Sequence, residues 1–211
     1  MIKTQKILTK EEMKIMELFR TGLFKSYTIR EIAKCINKKS YNWVFGAVGK
    51  LRELKIIKVE TKGNSSICSI NLNNPLCLIY LSLLEQNKIS DSLPLKNLNV
   101  LTDSIPVKYY TLIVTGSYAL GKQTSRSDLD VILIVENKDD SKKVFAVLKN
   151  KGELMIPKAH IFVFSREEFL KMLLEKEENY GKQAFRNNII FFGAENYYMI
   201  LNEAMDNGFK G

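Results

Sequence analysis

Apolar positions recur along the chain in two rhythms, and the rhythm changes near its middle. Thr9 and Glu12 have the spacing of a capping box, and Met13, Met16 and Phe19 follow with charges between them, which predicts a first helix. Thr28 and Glu31 repeat that box ahead of Ile29, Ile32, Ala33 and Ile36, one face of a short second helix. Ser40 is a good N-cap for a third, with Val44, Val48, Leu51 and Leu54 as its inward stripe. Residues 56–60 and 67–72 then read as two short strands joined by a polar turn at residues 62–66.

Beyond this the pattern loosens. Residues 76–104 begin as an apolar helical run, Leu76 to Leu84, and become polar around Ser90-Asp91-Ser92 and Pro94, which predicts a helix and a linker. Two dense apolar runs, Tyr110 to Val114 and Val131 to Val135, read as strands flanking Gly116-Ser117 and Ser127-Asp128-Leu129-Asp130. Lys158 to Phe164, after Pro157, reads as a further strand, and Ser165 with Glu168 caps a helix expected over Arg166 to Glu178. Phe185 to Leu201 reads as an apolar helical segment around Gly193, whose Phe191, Phe192, Tyr197 and Tyr198 suit a core or a dimer face.

Charge sharpens the division. Of 211 residues, 45% are hydrophobic and 26% charged, and the net charge is +9. Residues 1–75 hold 15 Lys and Arg against 6 Asp and Glu, whereas residues 76–211 hold 17 of each, so the whole imbalance sits in the first third. A basic segment joined to a neutral one points to a polyanion as the first part's partner. The longest dense apolar stretch falls well short of the roughly 20 residues of a spanning helix, and Met1 to Lys6 lack an apolar signal core, so a cytoplasmic protein without a membrane partner is expected. Cys35, Cys68 and Cys77 share no metal-binding spacing and are expected to be buried free thiols.

Helix, helix, helix and a two-stranded hairpin is the order of a winged helix-turn-helix, and residues Tyr27 to Leu72 resemble that family. That resemblance implies double-stranded DNA as partner, with Lys38, Lys39 and Lys62 near phosphates and Tyr41, Asn42 and Trp43 offered to base edges. The plainer reading makes the two aromatics core or subunit-contact residues and the lysines a solvated face.

Gly116-Ser117, Gly121 and the Asp128-x-Asp130 pair entering an apolar strand resemble the signature of the polymerase-β-like nucleotidyltransferases, especially the minimal prokaryotic members, over residues 106–165. The residue types suit the chemistry. A glycine after a strand lets backbone approach a phosphate, and Ser117 adds a hydroxyl. On a strand, residues two apart share a face, so Asp128 and Asp130 converge while Leu129 points inward. Two carboxylates suit Mg²⁺, which also takes phosphate oxygens. The resemblance implies an NTP substrate, ATP being the expected one, Mg²⁺ or Mn²⁺ at Asp128 and Asp130, phosphate held by Gly116 and Ser117, and transfer of a nucleoside monophosphate to a hydroxyl, in minimal relatives sometimes that of a partner protein such as a toxin.

The family's third carboxylate belongs on the next long strand, and Lys158 to Phe164 contain no acid. His160 stands there instead, as a metal ligand, a base or a packed residue. The expected fold is α+β: a winged helix domain over residues 1–75, a helix and linker over 76–105, and a nucleotidyltransferase domain with a mixed sheet flanked by helices over 106–211. A homodimer is expected. The competing reading is a DNA-binding transcriptional regulator whose nucleotidyltransferase-like domain senses nucleotide without turnover.

Overall fold

The structure, a computed structural model, describes residues 7–63, 65–90 and 92–211. The stretch Met1 to Lys6, Asn64 of the polar turn and Asp91 of the loop lie outside the described residues. The chain divides into two compact units, Met1–Leu84 and Glu85–Gly211.

The first unit opens with α1 (Lys10–Thr21) and α2 (Ile29–Cys35), each started by the reciprocal capping box that Thr9/Glu12 and Thr28/Glu31 encode. The Ser40 hydroxyl accepts from the Trp43 N–H and starts α3 (Tyr41–Glu53). Its inward stripe is Val44, Ala47, Val48 and Leu51; Leu54 falls at the C-cap, half-buried. A two-residue β1 (Tyr27–Thr28) joins β2 (Ile57–Lys62) and β3 (Ser65–Ile70) in an antiparallel sheet ordered β1-β3-β2. Cys68 and Cys77 are buried as expected, but Cys35 is exposed, because it is the last residue of a seven-residue helix whose inward positions are Ile29 and Ile32. Helix α4 (Pro75–Gln86) begins in this unit.

The second unit is built on a four-stranded mixed sheet ordered β6-β5-β4-β7, formed by β4 (Tyr110–Thr115), β5 (Leu129–Val135), β6 (Ala159–Ser165) and β7 (Ile189–Phe192). Strands β4 and β5 are antiparallel, and β5 and β6 are parallel. Helices α5 (Leu95–Ser104) and α7 (Lys138–Glu153) supply Leu98, Leu101, Val144 and Leu148 to a core with Leu129, Val131, Leu133 and Val135 on one sheet face. Burying Val144 and Leu148 fully contributes about 1.5–3 kcal/mol each. The single turn α6 (Gly116–Ala119) follows β4, while α8 (Arg166–Leu174), α9 (Tyr180–Arg186) and α10 (Ala194–Asp206) complete the unit, with Phe169 of α8 against Tyr197 of α10.

Further expectations are corrected. The supposed linker contains α5, whose Leu98 and Leu101 are buried although asparagines surround them. Residues 138–153 form a helix that buries only Val144, Leu148 and Gly152, too sparse a stripe to show a period in the sequence. Helix α8 stops at Leu174 instead of running to Glu178, and Asn179 caps a separate α9. The supposed helix from Phe185 to Leu201 is broken by β7, because Ile189–Phe192 pair with β4 and Gly193 (φ +73°) turns the chain into α10. A side chain at Gly193 would meet the Tyr110 carbonyl oxygen, so the bend sits directly on β4.

Among the described residues, no helix is long and apolar enough to cross a membrane.

Candidate active site

The candidate residues come together at one end of the β4–β5 pair. Thr115 is the last residue of β4 and lies opposite Asp130, so Gly116 steps off the sheet directly over that carboxylate. Its φ is +66°, and an added Cβ would meet Asp130 Oδ2 at 2.1 Å. Glycine is thus required twice, by its left-handed backbone and by the close approach of the acid. The Thr115 hydroxyl donates to the Asn187 carbonyl at 2.9 Å and anchors the strand end on the segment before β7. Ser117 follows in the turn, half-buried, and its carbonyl accepts from the Lys122 N–H at 2.9 Å. Further along, the Thr124 N–H donates to Ser127 Oγ at 2.9 Å and tightens the loop just before Asp128.

Strand alternation then places the acids. Asp128 is exposed, Leu129 fully buried and Asp130 half-buried, as the sequence pattern required. The parallel register sets His160 abreast of Asp130, with the Leu129 N–H donating to the Lys158 carbonyl at 2.7 Å. His160 Nε2 lies 3.5 Å from Asp128 Oδ2, and Nδ1 lies 3.4 Å from Asp130 Oδ1. One imidazole therefore touches both carboxylates, and the two acids face the same space. The trio remains open to water, with 46%, 45% and 31% of the side chains of His160, Asp128 and Asp130 exposed.

Among the described residues, no group of three or more His, Cys, Asp or Glu is placed so that it could hold a metal ion by itself. The imidazole contacts, at 3.4–3.5 Å, are those of a bridged pair of acids. Mg²⁺ commonly binds through one or two carboxylates plus substrate phosphates, and an open carboxylate pair beside a glycine turn fits that habit.

Tyr180 of α9 belongs to this neighbourhood, and the sequence reading missed it. Burial, reinforced by the negative charge of Asp130, pushes its phenol up to about 12. Its ring packs on Phe162 with centroids 4.6 Å apart. It lies 50 positions from Asp130 and carries no motif.

The other predicted residues lie in the first unit. Tyr41, Asn42 and Trp43 form the opening turn of α3, with Lys38 and Lys39 just before it. Lys39, Tyr41 and Asn42 are exposed, whereas Lys38 is occupied: its ammonium lies 3.3 Å from Glu11 and 4.5 Å from the centre of the Trp43 ring. Lys14, then Lys38, hold the Glu11 carboxyl below its ordinary range. Lys62 stands apart, exposed at the end of β2 beside the hairpin turn. Phe45, 59% exposed and stacked near Tyr41, adds an aromatic that the sequence reading did not single out; its signal was the four-residue spacing from Tyr41 on one helix.

Residues 105–184 match the family described as nucleotidyltransferase domain, a stretch from the end of α5 into α9 that holds Gly116, Ser117, Asp128, Asp130, His160 and Tyr180. That stretch, well under half of the chain, is similar to nucleotidyltransferase domains, which in general transfer a nucleoside monophosphate from an NTP. Comparison with curated proteins and with solved structures found no match for the chain.

Proposed function

We propose that the second unit moves a nucleoside monophosphate, AMP as the first expectation, from an NTP to a hydroxyl on a partner protein, and that the first unit is a winged helix that binds double-stranded DNA. The observation that carries the transfer reading is the convergence of Asp128 and Asp130 on His160 beside a glycine that only the bare backbone can satisfy. In this reading Asp128 and Asp130 hold Mg²⁺ or Mn²⁺, and the left-handed turn at Gly116 and the Ser117 hydroxyl receive the phosphates. The metal supplies charge neutralisation for the triphosphate and the departing pyrophosphate. The acceptor oxygen forms a bond to the α-phosphorus as the bond to pyrophosphate breaks. His160 Nε2, on the more exposed side of the trio, takes the hydroxyl proton while Nδ1 stays against Asp130.

For the first unit, the support is three helices with a three-stranded antiparallel sheet, and a charge imbalance confined to residues 1–75. Lys39, Tyr41 and Asn42 at the start of α3 offer exposed groups to a groove, and Lys62 on the hairpin offers one to a phosphate.

Asp130→Asn tests the transfer reading. Pyrophosphate release with ATP and Mg²⁺ should fall by about 10²–10³-fold, because a carboxylate–metal contact contributes several kcal/mol to the transition state, while DNA binding stays as it was. Release that survives both Asp128→Asn and Asp130→Asn would end it. A second reading, a DNA-binding regulator whose domain binds nucleotide without turnover, draws on one observation: no acid stands on β6, and a histidine occupies the register position beside Asp130. Tight ATP binding without pyrophosphate release, gained on His160→Asp, is its signature.

A further inference from the structure

Helix α7 meets β6 through backbone. A Cβ at Gly152 would lie 2.6 Å from the Ala159 carbonyl oxygen, so the helix rests directly on that strand. Lys149 and Phe145 precede Gly152 at three- and four-residue steps and therefore share the helix face that it brings to β6. Phe145 stays 41% exposed there, and Lys149 Nζ lies over its ring, 5.7 Å from the centre.

From the strand, Phe162 borders the same space. It stands two residues after His160, on the face that alternation gives them both, and is 38% exposed. The Tyr180 ring packs on it with centroids 4.6 Å apart. Tyr180 is itself held in place: the Asn179 amide donates to the Met172 carbonyl at 2.7 Å, and a side chain at Gly181 would strike the Met172 Cβ.

Two spaces border both Phe145 and Phe162, and one of them, about 240 Å³, also reaches His160. Among the described residues the two phenylalanine rings do not stack on each other, so they flank a slot. Whole small-molecule sites run at roughly 300–1,000 Å³, so this slot suits one flat piece of a ligand. The strand order says which piece. Gly116 and Ser117 follow β4, the aspartates belong to the start of β5, and His160 stands on β6, in neighbouring strands. A triphosphate held at the Gly116 turn has its α-phosphorus at the carboxylates, and the rest of the nucleotide continues towards β6. Phe162 stands about 7 Å beyond His160 along that strand, room for a sugar between phosphate and base. Every nucleobase offers a π-face to an aromatic side chain.

We propose that the slot between Phe145 and Phe162 holds the base of the NTP, with Tyr180 backing the Phe162 ring. This rests on the transfer reading and adds to it a substrate gripped by its base as well as by its phosphates.

The test measures binding of α,β-methylene ATP and of inorganic tripolyphosphate to the full chain with Mg²⁺, by calorimetry and without an acceptor. Stacking a base on an aromatic side chain is worth about 5–150-fold in affinity, so the nucleotide should bind at least about fivefold more tightly than tripolyphosphate. Phe145→Ala and Phe162→Leu should each weaken the nucleotide by about fivefold or more, and Phe145→Trp should restore it. Tripolyphosphate binding should stay unchanged in all three, which also certifies their fold. Equal wild-type affinity for the two ligands, no nucleotide binding at all, or loss of both ligands together in the variants overturns the proposal. So does nucleotide binding indifferent to both substitutions, the result expected if an aromatic side chain of the acceptor fills the slot instead. Ring-dependent nucleotide binding in a protein that releases no pyrophosphate with any acceptor would leave the slot standing and remove the transfer reading. Pyrophosphate release with ring-independent nucleotide binding would do the reverse.

Discussion

Replacing Gly116 with alanine puts the proposed geometry to a quantitative test. The residue sits at φ +66°, where a side chain costs about 1–2 kcal/mol. The new methyl would also lie 2.1 Å from Asp130 Oδ2, so the carboxylate must retreat by about 1 Å. The obstructing atom ends a short, half-exposed side chain, so the fold absorbs the clash cheaply while the chemistry does not: a displacement of that size costs about 10²-fold in rate. Gly121 provides the control, because at φ +64° it carries the same strain with nothing within 4 Å of a Cβ. Both alanine variants should therefore lose similar stability in urea, about 1–2 kcal/mol, whereas kcat/KM for pyrophosphate release should fall about 10²-fold further in Gly116→Ala than in Gly121→Ala. Equal activity losses would show that the contact with Asp130 is irrelevant to turnover. Wild-type activity in Gly116→Ala would remove Asp130 from the reacting centre altogether.

Two further outcomes follow from other parts of the molecule. Lys39→Ala and Lys62→Ala should each lower the slope of log K for DNA against log salt by about 1, and Lys38→Ala by less, because its ammonium is already engaged by Glu11 and Trp43; unchanged slopes in all three would count against a phosphate-contacting face. Tyr180 has a folded-state pKa raised to about 12 from 10, so the stability tied to its neutral form is complete below pH 10 and is lost as pH rises towards 12. Between those values the wild type should lose more stability than Tyr180→Phe in denaturant titrations, and identical curves would refute the burial of that phenol beside Asp130.

The parts of this fold that were legible in the sequence are those in which a local code and burial agree. The three capping boxes at Thr9, Thr28 and Ser165 formed because hydroxyl and carboxylate satisfy helix ends within four residues, independent of what the helix packs against. The alternation exposed–buried–half-buried at Asp128, Leu129 and Asp130 was readable for the same reason. Where burial is sparse the signal fades: α7 buries only Val144, Leu148 and Gly152 in sixteen residues, and its exposed Phe145 and Val147 blur the stripe. Strand β7 was hidden because Ile189–Phe192 is too short to show a period of its own and lies between helices rich in the same residue types. In the candidate site, His160 could be marked as the sole imidazole on an acid-free strand, but its contact with both aspartates depends on a parallel register that only tertiary pairing sets. Tyr180 had no local signal at all, since three elements, α7, β6 and α8, separate α9 from Asp130 in the chain.

The glycine bend, the serine and both aspartates belong to a single antiparallel ribbon, β4 to β5, contiguous in the chain and closed by one loop. Their spacing is fixed by neighbouring residues, so helices can shift around the ribbon without disturbing it. His160 alone arrives from outside, on a strand held from one side. Peripheral strands open more readily than central ones. Fraying at that margin would withdraw the imidazole and leave the acids in place, and whatever clasps the margin would also hold the imidazole at its post.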